Sequence, residues 1–458
     1  MTASTVRFAA ILLAGALLRV IALPEQGTGD TTIWKVWAYN AARHDVAELY
    51  GTTADRGPNG EPQRRVIEFA GNEMTVDYPP LALYELGLVG RAYWSWSGRH
   101  FPNTAALSAF VKLPSVASEV GLVLLLFFAV RRSIGLATAQ WAIAAYWLNP
   151  AALIDASDLG YLDPQFILPA AAAIVAAVYE WPAAAGALIA AAVLTKAQAL
   201  FIAPAVALAV WSCGAPEHRI GRFMRFGTGG LACAAVIIAP VAIAGGWPNM
   251  VLALSRLASH DMLSANSCNL WWIAGYVLRV RDSVHDLGIW TAVTAPARIL
   301  GIERVVELGY PNARTIGTAL VAASTIWTLW TARRARDLWL ISAVGAFVVH
   351  AYATLGAQVH ENHMFAAVPL AILAASGRSA FRGIAAALSA IVALNLNLFY
   401  GFGLGVGYAL PRSVTIIDAT VVLALINCAA LAWHAATLAT VSRAAALEKL
   451  PGAAPAAS

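Results

Sequence analysis

Charge is scarce in this chain. Asp, Glu, Lys and Arg make up only 12% of its 458 residues, against about 25% in a soluble globular protein. Cysteine is scarce too: Cys213, Cys233, Cys268 and Cys428 are scattered, two of them inside apolar runs. That pattern suggests neither a disulfide framework nor a CxxC metal site. No repeat of 20–50 residues and no inverted pair of broken helices is visible, which weakens a transporter reading.

What is present is apolar. The hydrophobic fraction is 60% and the mean hydropathy is +0.67. Apolar runs approaching the roughly 20 residues that span a bilayer recur along the chain, as at 8–23, 231–244 and 421–433. Such a chain reads as an all-α polytopic membrane protein, and its 16 Trp and 13 Tyr fit interfacial belts. The first run follows Arg7 without a small-x-small cleavage site, so it is expected to be an uncleaved anchor.

About twelve spans are expected, near 7–23, 107–130, 136–153, 164–180, 183–196, 197–211, 226–244, 313–331, 337–353, 362–376, 383–402 and 412–436. With Arg7 in the cytoplasm, the basic clusters Arg131-Arg132, Arg219/Arg222/Arg225, Arg333/Arg334/Arg336, Arg378/Arg382 and Arg443/Lys449 all fall on that same side. Both termini are then cytoplasmic, with one transmembrane domain over 1–442 and an Ala/Pro-rich tail over 443–458. The opposite face receives two long loops, 24–106 and 245–312, the acidic turn 155–163, Lys196 and the stretch Gln358–Met364 (QVHENHM). Helical patterning inside both loops predicts segments lying along the membrane surface.

Several outer-face residues have two readings from sequence. Asp30 is placed either to cap a helix over 31–43 or to accept a proton from a hydroxyl at the membrane face. Asp77-Tyr78-Pro79-Pro80-Leu81 is a rigid helix start, Pro being tolerated in the first turn, and equally a stiff wall for a polar ligand. Arg19 reads more readily as a snorkelling side chain than as a phosphate contact. In HENH, His360 and His363 stand at i and i+3 on one helix face, yet the HExxH spacing of zinc proteases is absent. Metal is therefore not favoured there, although a divalent cation at Asp30 stays open.

GDTTIWKVW followed by VDYPPLALY resembles the first lumenal loop of the dolichyl-phosphate-glucose-dependent glucosyltransferases of N-glycan assembly, a family of the GT-C fold. Asp30, Lys35 and Trp37 match its Asp, basic and Trp positions, and DYPPL stands unchanged. The likeness continues in order. Lys112 and Glu119 match a basic–acidic pair, and LIDASDLGYLDPQF resembles the Asp-x-Gly-x-x-Gln turn, with Asp158 in register and Asp163 in place of Gln. KAQALFIAP resembles Lys-Gln-x-x-Leu-x-x-Ala-Pro, with Lys196 matching and Gln198 displaced by one. Arg256-Leu257 with Asn269 and Trp271 resembles an Arg-Leu…Asn-x-Trp segment two residues longer. VHENHM resembles Val-His-Glu-Lys, with His360 and Glu361 matching and Asn362 in place of Lys.

The resemblance implies a GT-C glycosyltransferase without a required cofactor, with Asp30 as catalytic base. The implied donor is a polyprenyl-phosphate hexose, and the acceptor a lipid-linked or cell-envelope glycan. Asp77, Tyr78, Asp158, Asp163, Lys196, Gln198, Arg256, His360, Glu361 and His363 are the expected substrate-binding set. Such a donor suits the residues: phosphate leaves as an anion without a protonating acid, so one carboxylate base and some positive charge suffice, unlike the carboxylate pair of glycoside hydrolysis. The expected partners are membrane lipid, donor and acceptor, with no nucleic acid, and the chain is expected to act as a monomer. The compact, Ala-rich make-up leans bacterial, with the active face periplasmic or extracellular. The other classes left open are a flippase or transporter of lipid-linked sugars and a membrane metalloprotease.

Overall fold

The computed structural model describes residues 3–56, 62–255, 262–294, 312–401 and 417–447. Within them, six helices are long and apolar enough to cross a membrane: α1 (Ala3–Ala22), α5 (Ala105–Ser133), α11 (Arg219–Ile243), α15 (Leu338–Leu355), α17 (Arg382–Tyr400) and α18 (Ala419–Leu447). Four apolar helices are shorter: α8 (Asp163–Val178), α9 (Pro182–Thr195), α10 (Ala203–Ser212) and α16 (Ala367–Gly377). α14 (Ala313–Thr331) lines the bundle beside α15. The expected span at 136–153 is broken: α6 (Leu136–Trp147) stops short, and Asn149 caps the short α7 (Pro150–Ala152) through its side chain. A π-helical turn over Leu153–Leu159 follows. Pro150 explains the break, because it cannot donate a helical hydrogen bond and restricts the residue before it.

Burial sorts these helices as a bilayer would. α15 is mostly apolar and buried at the centre, its start held by Asp337, whose carboxylate accepts from Leu340 N–H at 2.9 Å. α11 lies at the rim, with Leu231, Val236 and Ile243 exposed by 73%, 76% and 87%. Three bulky apolar side chains so bare on one helix mark a lipid-facing surface. α11 packs on α9 so closely that a Cβ on Gly186 would sit 1.9 Å from Phe226 O. Small residues permit this approach, and dispersion contacts between backbones then replace the hydrophobic drive that lipid removes.

Arg19, at the outer end of α1, does not snorkel and does not reach a ligand cavity. Its guanidinium forks onto Glu119 of α5 at 2.9 and 2.8 Å, donates to Trp147 O at 2.8 Å and lies 3.6 Å from the Trp147 ring centre. Both partners are essentially buried. Lys112 of α5 is used similarly: its ammonium donates to Glu25 O, Ser157 O and Asp158 O at 2.8, 3.1 and 2.6 Å. These charges tie α1, α5 and the π-helical turn together.

The first long loop forms its own small core at one end of the helix bundle. α2 (Gly29–Ala41) and α4 (Pro80–Trp96) pack through Trp34, Trp37, Leu83 and Leu86, with α3 (Val46–Leu49) beside them. Two antiparallel hairpins qualify the all-α expectation: β1 (Thr52–Arg56) with β2 (Pro62–Arg64), and β3 (Ile67–Phe69) with β4 (Asn72–Met74). Ala70 and Gly71 turn the second hairpin with φ of 52° and 76°, the left-handed pair a two-residue hairpin turn requires. The second loop contributes α12 (Trp247–Ser255) and α13 (Leu270–Thr294). Asn269 caps α13, accepting from Trp271 and Trp272 N–H at 3.0 and 3.1 Å, and its amide donates to the end of α15.

Candidate active site

The outer-face residues singled out from sequence converge on a cavity of about 480 Å³. Asp30, Asp77 and Tyr78 come from the first loop, and Lys196 and Gln198 from the break between α9 and α10. His360, Asn362 and His363 come from the turn between α15 and α16. The breaks themselves create the space. Lys196 is extended (φ −150°, ψ 125°), ending α9 before a short 3₁₀ turn over Ala197–Phe201. Residues 361–366 are a turn that delays α16 until Ala367.

Asp30 is not a helix cap. α2 begins at Gly29, so Asp30 lies in its first turn, where the helix dipole favours a carboxylate. α2 is fixed to the π-helical turn by Thr31 Oγ1 and Trp34 Nε1, which donate to Leu159 O and Gly160 O at 3.0 Å each. The rings of Trp34, Trp37 and Tyr78 meet edge to face with centres 5.0–5.4 Å apart beside it. Burial pushes the Asp30 carboxyl up to about 6; Lys196 opposes the shift, while Glu361, Asp163 and Asp77 add to it. Among the described residues Asp30 makes no hydrogen bond and no ion pair, so its carboxylate is available to a substrate.

Pro79 and Pro80 act as the motif implies. Pro79 precedes α4 at φ −64° and ψ 158°, Pro80 opens the helix, and Tyr50 OH donates to Tyr78 O at 2.7 Å. Lys196 is fully engaged by the Asp163 carboxylate at 3.0 Å to each oxygen, and Asn362 Nδ2 donates to Asp163 at 2.6 Å. Asp163 therefore holds the ammonium and lies behind the cavity wall. His363 is clamped at both ring nitrogens, by Gln198 Nε2 at 2.8 Å and Tyr352 OH at 2.9 Å. His360 is 39% exposed, its ring 5.3 Å from that of His363.

Two more expected ligands lie outside the cavity lining. Glu361 accepts from Tyr161 OH at 2.5 Å and Tyr400 OH at 2.8 Å and does not line the cavity; burial raises its carboxyl. It anchors the turn that presents its two histidine neighbours. Asp158 is buried, and its backbone oxygen receives Lys112, away from the cavity. Arg256 lies outside the described residues.

Arg314, one residue into α14, was not expected. It lines the cavity, and its Nε donates to Gln358 Oε1 at 3.1 Å. Its signal in the sequence was an arginine at the outer end of an apolar run, where the positive-inside pattern places none. Arg314 also lines a second cavity of about 450 Å³ that shares Leu200, Phe201, Thr318 and Tyr352 with the first. Beyond them its walls are almost wholly apolar, including Pro204, Val321, Ile326 and Val348. The α14 contribution runs from Arg314 through Thr318 and Ala322 to Ile326 at a spacing of four, one face of the helix over about 18 Å. Phe201 and Tyr352 stack 3.6 Å apart at the boundary. Among the described residues no group of three or more His, Cys, Asp or Glu could hold a metal ion.

No family model matches the chain, and no curated protein matches it. Among solved structures it is similar to ArnT from Cupriavidus metallidurans bound to undecaprenyl phosphate, at 14% identity over 98% of this chain and 82% of that one, with a TM-score of 0.48. It is also similar to the Archaeoglobus fulgidus oligosaccharyltransferase tethered with an acceptor peptide, at 14% identity over 95% of this chain and 55% of that one, with a TM-score of 0.40.

Proposed function

We propose that the chain is an inverting integral-membrane glycosyltransferase of the GT-C fold, moving a hexose from a polyprenyl-phosphate donor to a lipid-linked or cell-envelope glycan. The observation that supports this reading is the joined pair of cavities. One is polar and holds an unengaged carboxylate, the other is a long apolar groove, and Arg314 stands where they meet. A prenyl chain suits the groove, its phosphate the Arg314 junction, and its sugar the polar cavity.

In that arrangement Asp30 takes the proton from the acceptor hydroxyl as the hydroxyl oxygen attacks the anomeric carbon. The bond from that carbon to the phosphate oxygen breaks on the opposite face, so configuration inverts. The electron pair leaves with the polyprenyl phosphate, whose charge Arg314 and His360 stabilise. Lys196, neutralised by Asp163, shapes the wall and tempers the rise in Asp30. The active face is extracytoplasmic, both termini are cytoplasmic, and the enzyme works as a monomer.

The test offers purified protein a panel of polyprenyl-phosphate sugars with a lipid-linked glycan acceptor and follows donor consumption. Consumption of one donor with an inverted glycosidic product supports the reading. Translocation of the donor across proteoliposomes without transfer would replace it with a flippase.

A further inference from the structure

A third cavity, of about 660 Å³, opens at the other end of α2. α2 has 13 residues, so at about 1.5 Å per residue this cavity lies roughly 20 Å from Asp30 along the helix. Arg43 and His44 reach it from the end of α2, and Arg91, Trp94 and Arg99 from the end of α4.

The Arg43 guanidinium is positioned by an aromatic floor. Arg43 lies 4.3 Å from the Tyr39 ring centre and 4.4 Å from that of Trp94, and it donates to the Tyr39 hydroxyl. Tyr39 and Trp94 in turn pack on Phe101 at 5.0 and 6.1 Å. Gly98 and Arg99 both adopt left-handed backbone, with φ of 66° and 71°, and Arg99 N–H closes on Trp94 O at 2.9 Å. An arginine in that conformation is costly, and here it turns the chain back beside Arg91. Arg91 and Arg99 make no side-chain hydrogen bond and no ion pair among the described residues. The one lining residue with a carboxylate partner among them is His44, 3.4 Å from Glu48. Three arginines thus share one cavity with no carboxylate among its lining residues.

Exposed apolar side chains flank the cavity beside a membrane-crossing helix. Trp96 and Leu88 of α4 are each 63% exposed, and Trp96 packs on Phe110 at the start of the membrane-crossing α5. An exposed Trp above a span is the usual mark of the bilayer interface. Arg is also the side chain whose planar fork matches phosphate oxygens in pairs.

We propose that this cavity binds the phosphate or diphosphate headgroup of an anionic membrane lipid through Arg43, Arg91 and Arg99, with Trp96 and Leu88 in contact with the acyl region. The experiment titrates full-length protein in detergent micelles with phosphatidylglycerol, phosphatidylcholine and inorganic pyrophosphate, reading bound adducts by native mass spectrometry. Because it needs no turnover, its outcome is independent of the transfer reaction. Wild type is expected to prefer phosphatidylglycerol over phosphatidylcholine, and Arg91→Gln/Arg99→Gln to weaken that binding by about tenfold or more, with an unchanged melting midpoint. Arg91→Lys/Arg99→Lys, which keeps charge and loses the fork, is expected to fall between. Equal affinity in wild type and the Gln pair, no preference between the two lipids, or pyrophosphate held as tightly as phosphatidylglycerol would each overturn the proposal.

Discussion

Asn362 Nδ2 donates to Asp163 Oδ2 at 2.6 Å, joining positions 199 apart in the chain. Both are departures from the glucosyltransferase pattern the chain resembles, which has Gln and Lys there. The two departures meet at one hydrogen bond, so they read as one coupled exchange. Gln with Lys carries +1 and Asp with Asn carries −1, a fall of two formal charges beside Lys196. Lys196 is then neutralised, and in the proposed reaction phosphate recognition falls to Arg314 and His360.

Asp163→Asn should leave the Lys196 ammonium buried without a counter-charge and cost about 3–5 kcal/mol of stability. Asn362→Ala removes one hydrogen bond to a charged group and should cost about 1.5–3 kcal/mol. Thermal unfolding of the two purified variants in detergent distinguishes these magnitudes.

Asp30→Asn should lower transfer by about 10²–10⁴-fold while leaving donor binding near wild type. The pH profile carries the sign. A base is active when deprotonated, so the rate should be flat above about pH 6 and fall about tenfold per unit below it. An acid limb centred near 4 would mean that the titrating group lacks the burial of Asp30.

Arg314→Gln removes the cation at the junction of the two cavities. The expected loss in kcat/KM is about 10–100-fold, and Arg314→Lys should recover part of it. Steady-state kinetics at saturating acceptor would show this; an unchanged kcat/KM would place the phosphate elsewhere.

Ala322→Trp fills the apolar groove without touching the polar cavity. It should raise KM for a long-chain polyprenyl donor by about tenfold or more, each buried CH₂ being worth about 0.8 kcal/mol. A donor with a one- or two-isoprene tail should be affected far less. Equal effects on both donors would exclude the groove as the tail site.

The helices, and the gathering of the polar residues at one end of them, were legible because hydropathy and arginine placement depend on local sequence alone. Asp30, Asp77, Lys196 and His360, which line one cavity, stood out in the sequence because short motifs keep such residues at fixed offsets. What stayed hidden was partnership. Nothing local says that Arg19 meets Glu119 across 100 positions, or that Glu361 turns to Tyr161 and Tyr400 and leaves the cavity to its neighbours. Arg314 was missed for a related reason: it begins an apolar helix, and only the fold shows that this helix lines both cavities.

The shortness of α9, α10 and α16 sets the depth at which the chemistry happens. They have 14, 10 and 11 residues, so they rise only about 15–21 Å through a hydrocarbon layer about 30 Å thick. In the proposed topology each spans from the cytoplasmic side to the polar cavity, α9 running outward and α10 and α16 running inward. The floor of the reaction chamber is therefore sunk about 10–15 Å below the outer edge of the hydrocarbon layer. A donor held there keeps its tail in lipid while its phosphate descends to meet Arg314, and the acceptor sugar must come down to it.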